Sequence, residues 1–187
     1  MNNVMIDIET LGNKGTPAII QFAGVYFDPV TGENKDTMSV CLDADELQRK
    51  GFPMDASTVR WWLDQDITIL KGILDAARPC GIALPQVREF LGYADVIWSH
   101  ATFDFVTLQT HFQAFGIKPL PYKASRDIRT LVSLSGINLY SYDWSKKTHD
   151  ALDDCRFQIR YCVDAMNKLK GTDGAGRKNE SISERTS

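Results

Sequence analysis

Four carboxylates and one histidine in this chain could together form a metal-dependent hydrolytic site. Asp7 and Glu9 share a short apolar stretch, Asp104 follows a second one, and His149 and Asp154 lie within KKTHDALDD. Carboxylate oxygens are the ligands that Mg²⁺ or Mn²⁺ prefers. An imidazole titrates near neutral pH, so His149 could accept a proton from an attacking water. Two ions held in this way suit phosphodiester hydrolysis by in-line displacement.

Asp7 and Glu9 are predicted to leave the same face of a strand, because they are two residues apart. Ile6 and Ile8 would then point into packing on the other face. No Lys or Arg lies within four residues of the pair, and close carboxylates repel unless a cation lies between them. The alternative is an edge strand with a solvated face.

Asp104 is expected in the first turn of a helix, where a helix dipole would also explain an acid. In the last helix, Asp150 as N-cap and Asp153 as its partner are accounted for by capping. Asp154 is not, since helical geometry puts it off the apolar stripe, on the flank with Ala151 and Gln158. That helix is predicted from Asp150 to about Leu169.

His149 is one of three histidines and comes five residues before Asp154. A lone histidine is usually a surface or core residue, but this neighbourhood favours a catalytic role. A position just before a helix would allow the side chain to move towards a bound substrate.

Apolar alternation predicts three strands near the N-terminus, at 4–8, 19–27 and 36–42, and a short buried strand at 96–98. Helices are predicted from Ser57 as N-cap through Gln65, at 67–77, from Pro85 to about Tyr93, at 104–115 and at 128–134. The three meandering strands followed by alternating helices and strands indicate an α/β domain with a mixed sheet.

Composition indicates a soluble globular protein of one domain. The chain has 187 residues, 43% hydrophobic and 24% charged, with a net charge of −3. No apolar run approaches a membrane span, and the predicted location is cytoplasmic. The four cysteines form no C-x-x-C pair, which argues against a zinc ribbon, and Cys155 and Cys162 have a core spacing. The net negative charge counts mildly against nucleic-acid binding.

Three motifs together resemble the DnaQ-like 3′–5′ exonucleases of the DEDDh branch. They are DIET at 7–10, FD at 103–104 and HDALDD at 149–154, in family order over about residues 3–168. The details PAIIQFAGVYFDPVTGE, TVRWWLDQ and SRDIRTL look most like phage and prophage exodeoxyribonucleases and related bacterial exoribonucleases. The resemblance implies an RNase H-like fold, with a mixed five-stranded sheet flanked by helices. The exonuclease domain would cover 1–170, with a disordered tail at 171–187.

The resemblance also assigns roles to residues. Two Mg²⁺ or Mn²⁺ ions would be held by the four acids, with His149 as general base. Thr10 and Leu11, which follow the D-x-E acid, would contact the terminal nucleotide. Candidate substrate contacts further include Trp62 (one of two adjacent tryptophans), His100 and Phe103. His100 stands where relatives often have Asn, which puts nucleotide contact there in doubt, and a polar strand end explains it equally well. Arg126 most simply starts a helix.

The leading hypothesis is a 3′–5′ exonuclease that releases nucleoside 5′-monophosphates from single-stranded DNA or RNA 3′ ends. DNA is slightly favoured on the phage-like resemblance, and a 3′–5′ exoribonuclease is the alternative. A catalytically silent RNase H-like module that binds a partner protein is another alternative, as is an endonuclease of the same fold. Relatives are often homodimers, so a homodimer is a further expectation.

Overall fold

A five-stranded sheet forms the centre of the protein. The computed structural model describes residues 1–146 and 148–175. The strands are β1 (Asn3–Thr10), β2 (Ile19–Phe27), β3 (Asn34–Cys41), β4 (Val96–Ser99) and β5 (Ser125–Asp127). Their order in the sheet is β3-β2-β1-β4-β5. The sheet is mixed, because β1–β2 and β2–β3 pair antiparallel whereas β1–β4 and β4–β5 pair parallel. This is the RNase H-like arrangement that the motifs predict.

Strand β1 is central and changes its pairing at the predicted acid pair. Asp7 lies opposite Ala23 and Glu9 opposite Gln21, and the register shifts between Glu9 and Thr10. Such an irregularity bends a strand and redirects the side chains beside it. Pairing with β2 continues beyond the irregularity, at Thr10 opposite Ile19, so the bend lies directly after the second carboxylate.

Seven α-helices occur within the described residues. They are α1 (Ala44–Arg49), α2 (Ala56–Leu63), α3 (Ile67–Asp75), α4 (Cys80–Phe90), α5 (Asp104–Ala114), α6 (Ile128–Ser135) and α7 (Ala151–Ala175). Short 3-10 helices lie at Leu91–Tyr93, Tyr122–Ala124, Leu139–Ser141 and Trp144–Lys146. No helix in the described part of the chain is long and apolar enough to cross a membrane.

The helices cover both faces of the sheet. Val4, Ile6 and Ile8 pack on the side of α4 and α5, in one apolar cluster. Met5 belongs to a second cluster, with buried residues of α6 and α7. Because side chains alternate along a strand, Asp7 and Glu9 share the α7 side with Met5. The prediction that Ile6 and Ile8 point away from the two acids is confirmed.

Helix α7 is held closely against the two central strands. The Cys155 thiol lies 3.6 Å from Met5 O and 3.7 Å from Ala23 O, so it joins the helix to β1 and β2. Cys155 and Cys162 are both fully buried and free, which confirms their predicted core positions. The tight contact fixes how far α7 stands from β1.

The start of α7 is also anchored. The side-chain amide of Gln21 donates to Asp150 Oδ2 at 2.8 Å and its oxygen accepts from Ala151 N at 3.0 Å. Asp150 Oδ1 accepts from Leu152 N and Asp153 N, which confirms Asp150 as the N-cap. In a capping box, Asp153 would accept a hydrogen bond from the backbone N–H of Asp150. Asp153 Oδ2 instead accepts from Thr148 Oγ1 at 3.5 Å.

Several predicted boundaries were wrong. The N-cap of α2 is Asp55 rather than Ser57. Helix α4 begins after Pro79, with Pro85 inside it, whereas Pro85 was predicted to open it. Helix α1 was not predicted, and α7 continues past Leu169 to Ala175. Of the predicted tail at 171–187, residues 176–187 lie outside the described part of the chain.

Candidate active site

The two central parallel strands bring three acids to one edge of the sheet. Asp7 and Glu9 lie on the second half of β1, and β4, which runs parallel to it, is followed by Asp104 at the first position of α5. The carboxyl ends of parallel strands open onto a common cleft. Asp154 reaches this cleft from α7, which packs on the same side as Asp7. All four predicted acids are buried and converge.

The acids and two histidines form two sets of potential metal ligands. Asp7, His100 and Asp104 make one set, and Glu9, His149 and Asp154 make the other. Within each set, one ligand atom from each residue lies within 4.8 Å of the others. The predicted acids and His149 therefore come together in space, although their individual roles stay predictions.

Both sets line one cavity of about 420 Å³. The remaining lining residues are Ile8, Thr10, Gly12, Asn13, Ser57, Thr58, Trp61 and Phe103. None of the described residues lining it is Lys or Arg. Four clustered carboxylates with no Lys or Arg among the lining residues fit a divalent cation, because like charges at this separation repel. The donor set, mostly carboxylate oxygen with one imidazole in each set, suits a hard or borderline ion.

His100 takes part in the site through Asp104. Its backbone N–H donates to Asp104 Oδ2 at 2.9 Å, and its Nδ1 lies 3.9 Å from the same oxygen. The backbone bond holds the Asp104 carboxylate across the first turn of α5. The position where relatives often have Asn therefore carries an imidazole next to a carboxylate. Sequence reasoning considered His100 for nucleotide contact only and missed its place among the potential metal ligands.

His149 adopts an uncommon backbone conformation directly before α7. Its φ of 59° is the only positive value at a non-glycine residue in the described chain. Its ring meets Trp61 edge to face, with ring centroids 4.7 Å apart, and lies 6.4 Å from the Trp62 ring. The backbone turn and the indole together direct the imidazole towards Glu9 and Asp154.

Trp62 does not lie in the cleft, contrary to the prediction. It is fully buried, and its indole Nε1–H donates to Thr10 O at 3.0 Å. Leu11 is likewise buried in the cluster that surrounds Trp62 and does not line the cavity. Trp61 is the exposed member of the pair, at 39%, and it lines the cavity. Of the two tryptophans, Trp61 is therefore the one that faces the cavity.

The signal for Trp61 was present in the sequence. Ser57, Thr58 and Trp61 are spaced so that they share one face of α2, and all three line the cavity. Only the docking of α2 on β1, through Trp62 and Thr10, decides which tryptophan is buried.

Two other predicted contacts lie in the cavity lining. Thr10 lines the cavity while its hydroxyl donates to Gly12 O at 2.6 Å. Phe103 lines it directly before Asp104. By contrast, Arg126 lies outside the cavity lining, in β5, and its guanidinium donates to Lys123 O and Ser125 O. It does not start α6, as was predicted, because the N-cap of that helix is Asp127.

The carboxamide of Gln158, on α7, contacts one of the acids of the site. Gln158 Nε2 donates to Asp7 Oδ1 at 2.6 Å, and Gln158 is only 3% exposed. The sequence placed Gln158 on the same flank of α7 as Asp154 but gave it no role.

Comparison with known proteins identifies the family. Residues 2–166 match the model of the Rv2179c-like 3′–5′ exoribonuclease domain. A comparison with curated proteins found no match.

Solved structures share the fold at low sequence identity. Exonuclease X in complex with 5′ overhanging duplex DNA has a TM-score of 0.57 and 17% identity, over 90% of this chain and 93% of that one. The nuclease domain of 3′hExo, a DEDDh family member bound to rAMP, has a TM-score of 0.58 and 17% identity, over 89% and 92%. E. coli Exonuclease I in complex with an oligonucleotide has a TM-score of 0.60 and 16% identity, over 91% of this chain but 40% of that one.

The family match covers nearly all of the described chain, including the acids that converge in the cleft. The chain belongs to the DEDDh 3′–5′ exonucleases, in the Rv2179c-like exoribonuclease domain family.

Proposed function

We propose that this protein removes nucleoside 5′-monophosphates from the 3′ end of single-stranded RNA, using two divalent cations held by Asp7, Glu9, Asp104 and Asp154. The observation that carries the proposal is the convergence of these four acids and His149 in one cavity. Mg²⁺ or Mn²⁺ fits this oxygen-rich set better than zinc does.

The shape of the cavity supports attack at a chain end. Its volume of about 420 Å³ is in the range of small-ligand pockets, ~300–1,000 Å³. Helix α2 lines it through Ser57, Thr58 and Trp61, next to Thr10 on β1. A terminal nucleotide fits between these residues and Phe103, with its phosphate directed towards the acids. Trp61 and Phe103 offer aromatic faces on which a base can stack.

The protein's own groups divide the chemistry between them. Bound divalent cations would supply the positive charge that stabilises the phosphate during displacement. His149 accepts the proton of the attacking water, since it lies within the ligand set of Glu9 and Asp154. Trp61 limits the motion of the imidazole. His100 and its backbone bond keep the Asp104 carboxylate turned into the cleft.

RNA is the proposed substrate class because the matching family model describes an exoribonuclease. This favours the alternative that the sequence placed second, behind DNA. The similar structures include proteins in complex with DNA and one that recognises the 3′ end of a histone mRNA stem-loop. The fold itself therefore does not select the sugar. A cytoplasmic location and homodimer formation remain predictions.

Matched oligomers test the proposal. Single-stranded RNA and DNA of identical sequence, labelled at the 5′ end, are incubated with Mg²⁺ or Mn²⁺, and the products are separated by size. We expect a ladder that shortens from the 3′ end, released mononucleotides, and faster loss of RNA. Faster loss of DNA would establish the sequence-favoured substrate instead, and an absence of hydrolysis in both would overturn the proposal.

Two controls separate the remaining alternatives. Asp154→Asn keeps the shape of the side chain and removes one carboxylate, so the ladder should vanish while the melting temperature is retained. An unchanged ladder would exclude Asp154 from the site. A closed circular RNA should stay intact, and its cleavage would indicate an endonuclease. If wild-type protein neither binds metal nor hydrolyses RNA, the silent interaction module becomes the better explanation.

A further inference from the structure

Gln158 occupies an unusual position beside the proposed metal site. It lies four residues after Asp154 on α7, so the two side chains neighbour each other on one face of the helix. Its Nε2 donates to Asp7 Oδ1 at 2.6 Å. A single carboxamide therefore connects the helix that carries Asp154 to the strand that carries Asp7.

The other end of the carboxamide lacks a hydrogen-bond partner among the described residues. Gln158 Oε1 is buried and accepts no hydrogen bond from any of them. Rotating the amide would turn this oxygen towards the Asp7 carboxylate, which only accepts, so the observed orientation is the one that chemistry allows. The cost of burying an unsatisfied oxygen is tolerated at this position, and stability alone does not explain why a glutamine stands there.

The surroundings of Gln158 are mainly apolar. It lines a second cavity of about 350 Å³, next to Ile128, Val132, Phe157 and Tyr161. Asp154 and His100 line both this cavity and the catalytic one. In surroundings of low polarity, a hydrogen bond to a carboxylate is stronger than in water. The bond from Gln158 is therefore well suited to fix the rotamer of Asp7.

We infer that Gln158 is a positioning residue, which holds the Asp7 carboxylate in the orientation that binds the divalent cations. This inference rests on the proposed function, because it presumes that Asp7 is a metal ligand. Groups that hydrogen-bond to metal ligands commonly change metal affinity by about 10- to 100-fold when they are removed. We expect an effect of that size here.

The test uses Gln158→Met, which retains the length of the side chain and removes both polar atoms. Mn²⁺ binding to the full chain is measured by calorimetric titration, and thermal unfolding is followed in EDTA. We expect the Mn²⁺ dissociation constant to rise about 10- to 100-fold. The melting temperature in EDTA should change little, because the variant loses one hydrogen bond but also the unsatisfied buried oxygen.

A second variant keeps the inference testable if Gln158→Met does not fold. Gln158→Asn keeps the amide but withdraws it by one methylene, so its donor no longer reaches Asp7. It should weaken Mn²⁺ binding as Gln158→Met does. Mn²⁺ affinity equal to wild type in either folded variant would overturn the inference.

Cys162→Ala serves as the matched structural control. It removes a fully buried side chain from the same helix, eight residues after Asp154 and on the side away from the acids of β1. It should lower the melting temperature and leave Mn²⁺ affinity unchanged. If it weakens Mn²⁺ binding as much as the Gln158 variants do, Gln158 acts only through packing and the inference fails. If wild-type protein itself binds no Mn²⁺, the proposed function is overturned, and the inference that rests on it is overturned with it.

Discussion

The indole of Trp61 and the imidazole of His149 meet edge to face, with ring centroids 4.7 Å apart and planes at 85°. The two residues are 88 positions apart in the sequence, and both line the cavity that holds the acids. This contact joins α2 to the segment before α7, which carries the proposed base. In the proposed function, substrate binding against α2 and proton transfer by His149 would therefore depend on the same indole ring.

Replacing Trp61 by Ala should slow catalysis more than it weakens metal binding. The imidazole loses its neighbour and samples other positions, and misplacing a catalytic group by about 1 Å can reduce the rate by about 100-fold. Trp61→Phe, which keeps an aromatic ring, should retain most of the activity. Steady-state kinetics on single-stranded RNA and Mn²⁺ titration would measure both effects. Equal kcat in Trp61→Ala and wild type would contradict a positioning role.

Replacing His149 should abolish activity whether Gly or Ala takes its place, whereas the stability of the protein should depend on which of the two is used. Removing a general base typically costs about 10²–10⁴-fold in rate, so His149→Gly and His149→Ala should be similarly inactive. The backbone φ of 59° suits glycine better than alanine, by about 1 kcal/mol. Denaturant unfolding should therefore find His149→Gly the more stable variant. The reverse order would show that the left-handed conformation is not retained in solution.

Metal removal should destabilise the protein through the acid cluster. A ligand present at 100 times its dissociation constant stabilises the folded state by about 2.7 kcal/mol, so Mn²⁺ should raise the melting temperature and EDTA should abolish the increase. In Asp7→Asn the increase should disappear. Its melting temperature in EDTA should not fall, because one repelling charge is gone and Asn still accepts from Gln158. Asp36→Asn, an exposed acid on β3, should respond to Mn²⁺ as wild type does. A full Mn²⁺ response in Asp7→Asn would remove Asp7 from the site.

His111 predicts how stability depends on pH. It is fully buried and stacked on Phe52, with Nδ1–H donating to Thr107 O and Nε2 accepting from Ile19 N–H, so the folded ring is neutral. Burial lowers its pKa from 6.5 to about 4. The unfolded chain binds this proton below pH 6.5 and the folded protein only below about 4. Stability is therefore complete above pH 6.5 and falls as the pH drops towards 4, by about 3 kcal/mol.

His111→Phe provides the comparison. Stacking on Phe52 is retained and the titrating group is lost, so the difference in unfolding free energy between wild type and variant should shrink from pH 7 to pH 4.5. At pH 7 the variant should be less stable by about 1–3 kcal/mol, since Ile19 N–H loses its acceptor. Urea titrations at several pH values in EDTA would measure this. A pH-independent difference would mean that other groups dominate the acid response.

The sequence predicted the acids well because their evidence is local. Two residues on one strand face, an acid at a helix start and an acid outside an apolar stripe are all properties of neighbouring residues. The mixed five-stranded sheet also followed from the resemblance to the family. What was missed depends on tertiary contact: Trp62 is buried because its Nε1 meets Thr10 O across the chain, and Gln158 matters because it meets Asp7. Helix α4 starts at Cys80 rather than at Pro85, and the Cys80 N–H at this start donates to the Glu46 carboxylate at 2.7 Å.

The position of α7 in the chain determines when the enzyme becomes active. In the sequence, Gln158 follows its partner Asp7 by 151 positions, and His149 and Asp154 follow Glu9 by 140 and 145 positions. Proteins are synthesised at ~5–20 residues per second, so the N-terminal strands emerge from the ribosome many seconds before the helix that completes their acid cluster. A nascent chain, or one shortened before α7, has no complete ligand set. In the proposed function, a chain whose α7 has not yet been synthesised therefore cannot hydrolyse nucleic acid.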